Sequence, residues 1–421
     1  MNTQTNKFIK LLWALFFFLM IFMPRQLQAV KVALMVMIFL SKAITHELYF
    51  SLDMSNTHIK MFILCWFSSA ALRAVVGFIN GNPGVLDTIQ LDIIYIAILL
   101  LLFFTIDTRE ELEWINCTIL VSGTICAIYT LIWFLVNIGI WPRNLFYAFD
   151  YTTGFGDHEG YIHMTNTNGS MLIPILPMFF VSFMTSERKG RKDIIKIIAL
   201  FICALAAFLT GRRMIWASIP FALAFVFVIA IIHPQNVRYS FAGTNWKRLA
   251  IIVGSIVAIG IFLIARGYIN INSIISRFRA VLAGGEESSE RSIQAEALIR
   301  GFLQHPVFGS GAGASAPGII RNQDFTWAYE LSYHAVLFQS GIVGFSLYVI
   351  ALLSIAFGCV AGAKRKDKSY SSYVALLAGL LIGYIANASN PYFSSSFDFL
   401  WWIIWPAGYI YAEKKITEYE I

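Results

Sequence analysis

The chain has 421 residues, of which 58% are hydrophobic and only 13% are charged, and its mean hydropathy is +0.69. Soluble domains of this length do not need so much apolar material, so the composition predicts a polytopic membrane protein. The net charge of +7 does not indicate a nucleic-acid-binding protein, because the basic residues form short clusters between apolar runs. The 5 cysteines lie inside apolar runs without a CxxC or Cys/His cluster, which argues against a disulfide framework and a zinc site.

The apolar runs, taken in chain order, predict about twelve membrane-spanning helices, since a span needs about 20 apolar residues. The first run resembles a signal peptide, but further spans follow at once, so we expect it to remain as the first helix. The fold class is therefore an all-α polytopic membrane protein. The predicted spans are roughly 8–23, 27–41, 59–79, 90–107, 114–139, 170–185, 194–211, 214–233, 249–268, 331–362, 373–388 and 397–412.

The loop lysines and arginines predict the orientation, because cytoplasmic loops are enriched in them. With the amino terminus in the cytoplasm, the lysine-containing clusters at 188–192, 364–368 and 414–415 all fall on the cytoplasmic side, and so do both termini. The chain then divides into nine spans (1–268), one large outer loop (269–330) and three spans (331–421). Several cations outside that loop are not explained by this rule: Arg25, Lys31, Arg73, Arg143, Arg212, Arg213 and Arg266.

The large outer loop is the main extramembrane segment, and it is rich in arginine. An anionic substrate held at the membrane surface would account for cations on the outer side. The spacing of apolar residues in 289–303 of this loop predicts an amphipathic helix. Its arginines and those around it are Arg277, Arg279, Arg291, Arg300 and Arg321.

On that helix, Arg291 shares one narrow face with the apolar residues Ala295, Leu298 and Phe302. We expect this face to dock on the membrane domain, whereas Arg300 should face water. A cation on a docking face is costly unless it meets a carboxylate or a bound anion. Both interpretations of Arg291, structural pairing and substrate contact, remain open on the sequence alone.

Two glycine-containing segments accompany these arginines. Gly211-Arg212-Arg213 joins the seventh and eighth spans, where two guanidiniums either grip phosphate bidentately or extend to the interface beside Trp216. Residues 305–313, HPVFGSGAG, predict a small-residue loop that is either a flexible re-entry or a backbone surface for close ligand approach. The second segment is not a dinucleotide fingerprint, because no strand precedes it and no helix opens on its glycines.

Several polar residues near the outer surface are further candidates. Glu330 and His334 are four residues apart, which predicts one helical face, where they pair with each other or with arginines. A carboxylate there could also orient or deprotonate an acceptor hydroxyl. Arg73 lies deep in the third span and indicates either a lipid-phosphate contact or a structural partner. A group of acidic and histidine residues suggests sugar recognition or solvation rather than a metal site: Asp150, Asp157, His158, Glu159 and His163.

Four pieces of the chain, in this order, resemble the O-antigen ligase/polymerase superfamily of bacterial envelope glycan enzymes. They are Gly211-Arg212-Arg213 with Trp216, the stretch from Arg291 through His305-Pro306 to Gly309-Ser310-Gly311, the segment Gly341-Ile342-Val343-Gly344, and the last outer loop Asn387-Ala388-Ser389-Asn390-Pro391. The motifs cover the second half of the chain, and the first half is similar only in topology.

The resemblance implies an inverting, metal-independent glycosyltransferase with a GT-C-like fold and no cofactor. It would work in the bacterial inner (cytoplasmic) membrane, with its active site facing the periplasm. Donor and acceptor would be undecaprenyl-pyrophosphate-linked oligosaccharides among membrane lipid, and a separate chain-length regulator protein would be a partner. By position, Arg213 (or Arg212) and Arg291 would hold the pyrophosphate. We further expect Glu330 to position or activate the acceptor. The remaining expected substrate-binding residues are Arg212, Arg73, Arg277, Arg279, Tyr333, His334 and Asn390.

One departure from the family pattern bears on the subtype. Ligases carry a histidine about eleven residues before the glycine of the GxxG-like segment, whereas counting back from Gly341 gives Glu330. The sequence Glu330-Leu331-Ser332-Tyr333 is more similar to polymerases, so we prefer an O-antigen (Wzy-type) polymerase to a ligase. A transporter of lipid-linked oligosaccharides is the alternative from another class. It is less favoured because the two halves look unrelated and the unexplained charge lies at the outer surface.

Overall fold

The computed structural model describes residues 3–45, 56–142, 153–158, 161–166, 168–186, 191–210, 212–232, 286–364 and 369–419, with a few positions between 254 and 272. Most of these residues are helical, as the apolar runs predict. The helices are α1 (Thr3–Phe22), α2 (Gln28–Ile44), α3 (Thr57–Ile79), α4 (Val85–Ile89), α5 (Ile96–Phe103), α6 (Arg109–Asn137), α7 (Leu172–Thr185), α8 (Arg191–Leu209), α9 (Arg213–Ile232), α10 (Glu286–Gln304), α11 (Ser332–Ala363), α12 (Tyr370–Ser389), α13 (Tyr392–Ser395) and α14 (Trp401–Tyr419).

A polytopic membrane protein is confirmed by this architecture. Within the described part of the chain, 6 helical segments are long and apolar enough to cross a membrane: Thr57–Ile79, Arg109–Asn137, Asn168–Thr185, Arg213–Ile232, Ser332–Ala363 and Tyr370–Ser389. Helices also occupy the other predicted spans, except for 249–268, which lies largely outside the described residues. One feature departs from the all-α expectation. The strands β1 (Thr153–His158) and β2 (Tyr161–Asn166) form an antiparallel hairpin between α6 and α7.

The predicted span 90–107 is not one regular helix. The wide π-helical turn Gln90–Tyr95 separates α4 from α5. Such turns insert an extra residue into the helical ladder and often occur at functional sites. Here the turn carries Asp92, whose side chain is buried. The main-chain carbonyl of Asp92 accepts a hydrogen bond from Trp66 Nε1 on α3 at 2.8 Å.

One end of the bundle is tied together by ion pairs. Lys42, at the end of α2, contacts Asp107 at 3.0 Å and Glu111 at 2.9 Å, and Lys415 of α14 reaches Asp107 at 2.7 Å. A capping box formed by Thr108 and Glu111 starts α6 at the same place. The ends of α2 and α14 and the start of α6 therefore lie at the same end of the bundle.

The opposite end holds a buried ion pair between Lys31 of α2 and Asp398, which precedes α14. Both side chains are 0% exposed. The carboxylate of Asp398 also accepts from the backbone N–H of Arg25 at 2.9 Å and from Gln28 Nε2 at 3.1 Å, and Lys31 Nζ donates to the Met23 carbonyl at 2.7 Å. This cluster fixes the turn between α1 and α2 against the last outer loop.

Candidate functional site

Glu330 lies between two arginines of the outer loop. Its Oε2 accepts from Arg291 Nε at 2.8 Å, and its Oε1 is bonded to Arg321 Nη2. The backbone N–H of Glu330 donates to the side-chain oxygen of Gln294 at 3.1 Å. Arg291 and Gln294 belong to α10, so these bonds hold that helix against the segment that re-enters the membrane. The carboxylate predicted as one possible partner of Arg291 is therefore Glu330.

The docking face of α10 is turned slightly from the predicted one. Its buried residues are Gln294, Ala297 and Leu298, with Gly301 beside them, whereas Arg291 and Phe302 are only partly buried. Gly301 lies there because a β-carbon would come within 2.5 Å of the Phe338 ring. The turn of the helix leaves Arg291 at the edge of the interface, where it is accessible to a ligand. Arg300 is exposed and pairs with Glu296 four residues earlier, as predicted for a water-facing position.

The small-residue loop after α10 is packed between α3 and α11. Ser310 and Gly311 donate backbone hydrogen bonds to the carbonyls of Phe338 and Gln339, each at 2.9 Å, and Ala312 donates to the Arg73 carbonyl at 2.8 Å. Neither predicted interpretation describes this arrangement. The loop is not a free re-entry, and the backbone that approaches its glycines is the chain's own.

Glycine is required at two facing positions of this contact. Gly309 has a φ of +73°, and a β-carbon there would lie 2.4 Å from the backbone of Gln339 and of Gly341. Gly341 has a φ of +61° and interrupts α11, so that the loop can pair with its backbone. Only glycine adopts a left-handed backbone at low cost, because it has no β-carbon. The GxxG-like segment is thus the place where the outer loop enters the helix bundle.

Glu330 and His334 do not share a helical face as predicted. The helix α11 begins at Ser332, so Glu330 belongs to the preceding loop. His334 is half-buried and has no hydrogen-bond partner among the described residues. Tyr333 points into the bundle, where its hydroxyl donates to the Tyr384 carbonyl at 2.8 Å.

Arg73 has a structural partner. Its Nη2 lies 2.9 Å from Asp92 Oδ2, and the two side chains are 4% and 8% exposed. The Nε of Arg73 is buried and makes no hydrogen bond within the described part of the chain. Burial of an ion pair is tolerated when the partners are close and further hydrogen bonds satisfy them. The pair explains the charge in the third span, and contact with a lipid phosphate stays a prediction.

Asn390 ends α12, and its side chain makes a weak contact with Ser389 Oγ at 3.4 Å. Asn387, three residues earlier, is fully buried, and its Nδ2 donates to Ser332 Oγ at 3.0 Å. Its Oδ1 accepts from the backbone of Phe393 at 3.0 Å. Asn387 therefore joins the start of α11 to the last outer loop, a role that the sequence analysis did not assign to it.

Arg212 and Arg213 lie where α9 begins, after the turn at Thr210. Trp216 fixes this start, because its Nε1 donates to the Phe208 carbonyl at 3.0 Å and its ring stacks on Phe208. Arg212 is half-buried, and its Nε has no hydrogen-bond partner among the described residues. The amino terminus of a helix attracts anions through its free N–H groups and its dipole. Gly211 lies outside the described residues.

A cavity of about 700 Å³ opens at the same end of the bundle. Its walls come from the turn after α1, the π-helical turn, the loop before α11 and the last outer loop. Three arginines, Arg25, Arg73 and Arg321, line it together with aromatic, amide and hydroxyl side chains. Such a mixture of ring faces and polar groups is typical of a binding site for a polar organic ligand.

The structure thus brings some of the predicted site residues together and leaves others apart. Arg291 and Glu330 are bonded, and Arg321 links them to the cavity that Arg73 lines. Arg277 and Arg279 lie outside the described residues, as do Asp150 and Glu159. The backbones of Asp157, His158 and His163 are in the β-hairpin, but their side chains are outside the described part.

Three residues of the site were not predicted from the sequence. Asp92 was hidden in an apolar run, Arg321 was noted only as one loop arginine, and Arg25 only as a cation that topology leaves unexplained. The sequence carried one signal for Asp92, since an acidic residue inside a predicted span indicates a functional or paired group.

A family model described as O-antigen ligase matches residues 198–349. The match begins in α8 and ends in α11, so it includes the arginines at the start of α9, α10 and the glycine contact. It confirms the resemblance of this part of the chain to the O-antigen ligase/polymerase superfamily. No curated protein matches the chain.

Proposed function

We propose that this protein is a polymerase of O-antigen or a similar surface polysaccharide. It transfers a glycan from undecaprenyl pyrophosphate onto the sugar of another lipid-linked repeat unit at the periplasmic face of the bacterial inner membrane. The observation that carries the proposal is the Arg291–Glu330–Arg321 cluster at the edge of the cavity, within the segment matched by the O-antigen ligase family. Both termini would be cytoplasmic, and residues 269–330 would form the catalytic loop between the two groups of spans.

The chemistry needs little from the protein beyond charge and position. An acceptor hydroxyl oxygen attacks the anomeric carbon of the donor, the bond from that carbon to the phosphate oxygen breaks, and undecaprenyl pyrophosphate leaves. Because the leaving group carries the bond's electron pair, stabilisation of its negative charge lowers the barrier. Direct attack from the opposite face inverts the configuration and requires no metal.

Arg213 and Arg291 are the residues that we assign to the pyrophosphate, with Arg212, Arg277 and Arg279 in support. Arg291 is suited to this because its partner Glu330 is a half-buried carboxylate that a more highly charged anion can displace. Guanidinium groups bind phosphate oxygens bidentately, which also fixes the orientation of the leaving group. Arg213 lies at the amino terminus of α9, and the positive end of that helix dipole also attracts the anionic pyrophosphate.

Glu330 is the residue that we assign to the acceptor. In the free protein both of its oxygens are engaged by guanidiniums. When the pyrophosphate draws Arg291 away, one oxygen becomes available to accept the proton of the attacking hydroxyl. The acceptor surface would also include Tyr333, His334 and Asn390. Arg73, which pairs with Asp92, would support that surface. A base coupled to substrate binding in this way would act only when the donor is present.

An O-antigen ligase, which passes the finished polymer to lipid A-core, is the second candidate, because it is the activity named in the description of the matching family. A gel of surface polysaccharide and lipid-linked intermediates separates the two in cells that lack the protein. A core carrying a single repeat unit, restored to long chains by plasmid rescue, is the expected result. Bare core with long polymer stranded on undecaprenyl pyrophosphate would identify a ligase. Unchanged polysaccharide would contradict both functions.

A further inference from the structure

Two guanidiniums near the cavity have no counter-ion in the described part of the chain. No carboxylate lies within ion-pair distance of either Arg25 or Arg212 there, and neither guanidinium makes a hydrogen bond. Asp398 is the acid beside Arg25, but its carboxylate is bonded to Lys31, Gln28 and the backbone N–H of Arg25. The backbone of Arg25 is thereby fixed, while its guanidinium forms no ion pair among the described residues.

These two cations lie close enough to affect each other. The pKa of Arg25 is lowered, first by the burial of its guanidinium and next by the positive charge of Arg212, while Asp398 and Tyr392 act in the opposite direction. Arginine remains protonated despite such a shift, so the repulsion between the two groups persists in the free protein. A bound anion would offset it, whereas the nearby carboxylate of Asp398 is already bonded to Lys31.

The other cations of the cavity wall already have carboxylate partners. Arg73 pairs with Asp92, and Arg321 pairs with Glu330. Asp87, an exposed residue of α4, is the remaining charged group of the wall besides Arg25. Arg25 is therefore the cation of this wall that is free to bind a ligand.

The rest of the lining fits sugar rings better than a lipid chain. Aromatic side chains make up half of its apolar groups, and Trp327 is held flat against Gly84, where a β-carbon would meet the indole at 2.2 Å. Sugar C–H groups pack on the electron-rich faces of such rings, and amides and hydroxyls bind sugar oxygens. The aromatic and amide groups are Tyr95, Phe325, Trp327, Tyr329, Phe397, Gln28, Gln90, Asn322 and Gln339.

We infer that the cavity is a glycan-binding subsite and that Arg25 pairs with an acidic substituent on the repeat unit, either a carboxylate or a phosphate. This inference rests on the proposed function and narrows its substrate class to acidic glycans. Arg25 is a specificity-determining residue in this scheme, because it reads the charge of the sugar rather than that of the lipid carrier.

The composition of the polymer is the first test. The polysaccharide that disappears when the gene is deleted is purified from wild-type cells, and its sugars and phosphate are analysed. We expect a uronic acid, another acidic sugar or a phosphate substituent in each repeat. A neutral repeat unit would overturn the inference and leave the proposed function intact, whereas a deletion that changes no polysaccharide would contradict the proposed function itself.

The second test is binding to the full-length protein in nanodiscs. The two probes are the lipid-linked repeat unit extracted from deletion cells and undecaprenyl pyrophosphate without sugar. Arg25→Asn, which keeps a residue tolerant of the left-handed backbone found here (φ 68°), should bind the repeat unit at least about tenfold more weakly. It should bind the sugar-free lipid as the wild type does.

Controls separate charge from structure. Arg25→Lys keeps the charge and should retain most of the affinity, and Arg300→Gln removes an exposed arginine that does not line the cavity and should change nothing. Arg25→Gln replaces Arg25→Asn if the melting temperature of the latter falls. Equal weakening for both probes would show that the lipid pyrophosphate is the anion, and no weakening for either would show that Arg25 binds no ligand. Each of these two results would overturn the inference.

Discussion

Arg291 Nε and Glu330 Oε2 are 2.8 Å apart, and this ion pair connects α10 to the loop that precedes α11. The side chains are 30% and 21% exposed. Partly solvated ion pairs contribute little to stability. The pair is therefore weak enough to be exchanged for a substrate anion, and this exchange underlies the first two predictions.

Replacing Arg291 with alanine should abolish polymer formation, because the pyrophosphate loses a guanidinium and Glu330 loses a partner. Protein abundance should stay close to that of the wild type, since the pair lies at the edge of the interface. The measurement is a polysaccharide gel with an immunoblot of the same cells. Arg300→Ala, an exposed arginine on the same helix, is the matched control. A wild-type ladder from Arg291→Ala would remove Arg291 from the site.

Replacing Glu330 with glutamine should lower the transfer rate by about 10²- to 10⁴-fold, the range expected for loss of a proton acceptor. The amide keeps the shape of the side chain but has one acceptor oxygen in place of two. Turnover is measured with purified protein and lipid-linked repeat units. Glu296→Gln, which breaks only the exposed pair with Arg300, should be as active as the wild type. If Glu330→Gln were equally active, Glu330 would not be the base.

Gly309→Ala should destabilise the protein strongly, because the methyl group would lie 2.4 Å from the backbone of α11. Gly318 provides a matched control, since it also has a left-handed backbone (φ +80°) but no atom lies within 4 Å of the place that a β-carbon would take. Gly318→Ala should therefore cost only about 1–2 kcal/mol for the left-handed conformation. Melting temperatures in detergent measure both. Equal shifts would mean that the close backbone contact is unimportant.

Breaking the buried Lys31–Asp398 pair should be costly when only one partner is removed. Lys31→Met and Asp398→Asn should each lower the free energy of unfolding by about 3–5 kcal/mol, because the remaining charge is buried without compensation. The double variant should lose less than the sum of the two. Thermal unfolding of the four proteins forms a double-mutant cycle. Additive effects would show that the two charges do not interact.

The sequence was sufficient for features that depend on local composition. Runs of apolar residues are expected to be helical in a membrane, since hydrocarbon offers no partner for the backbone. This predicted the helices and the polytopic class, although the predicted span 90–107 is interrupted by the π-helical turn. The spacing on α10 likewise predicted that Arg300 faces water and that Arg291 lies near the docking surface. The order of short motifs indicated a resemblance to the O-antigen ligase/polymerase superfamily, which the match over residues 198–349 confirms for that part of the chain.

The partners of the charged groups were decided only by the tertiary structure. Arg73 and Asp92 are 19 residues apart, Arg291 and Glu330 are 39, and Lys31 and Asp398 are 367. Side-chain periodicity carries no information about such distances, because the pairing depends on how helices cross and where they are interrupted. The π-helical turn at Asp92 and the glycine at 341 are two such interruptions. The sequence therefore determined which segments form apolar helices and which cations needed an explanation. The packing of those segments determined that Arg73 and Arg291 have carboxylate partners and that Arg25 has none among the described residues.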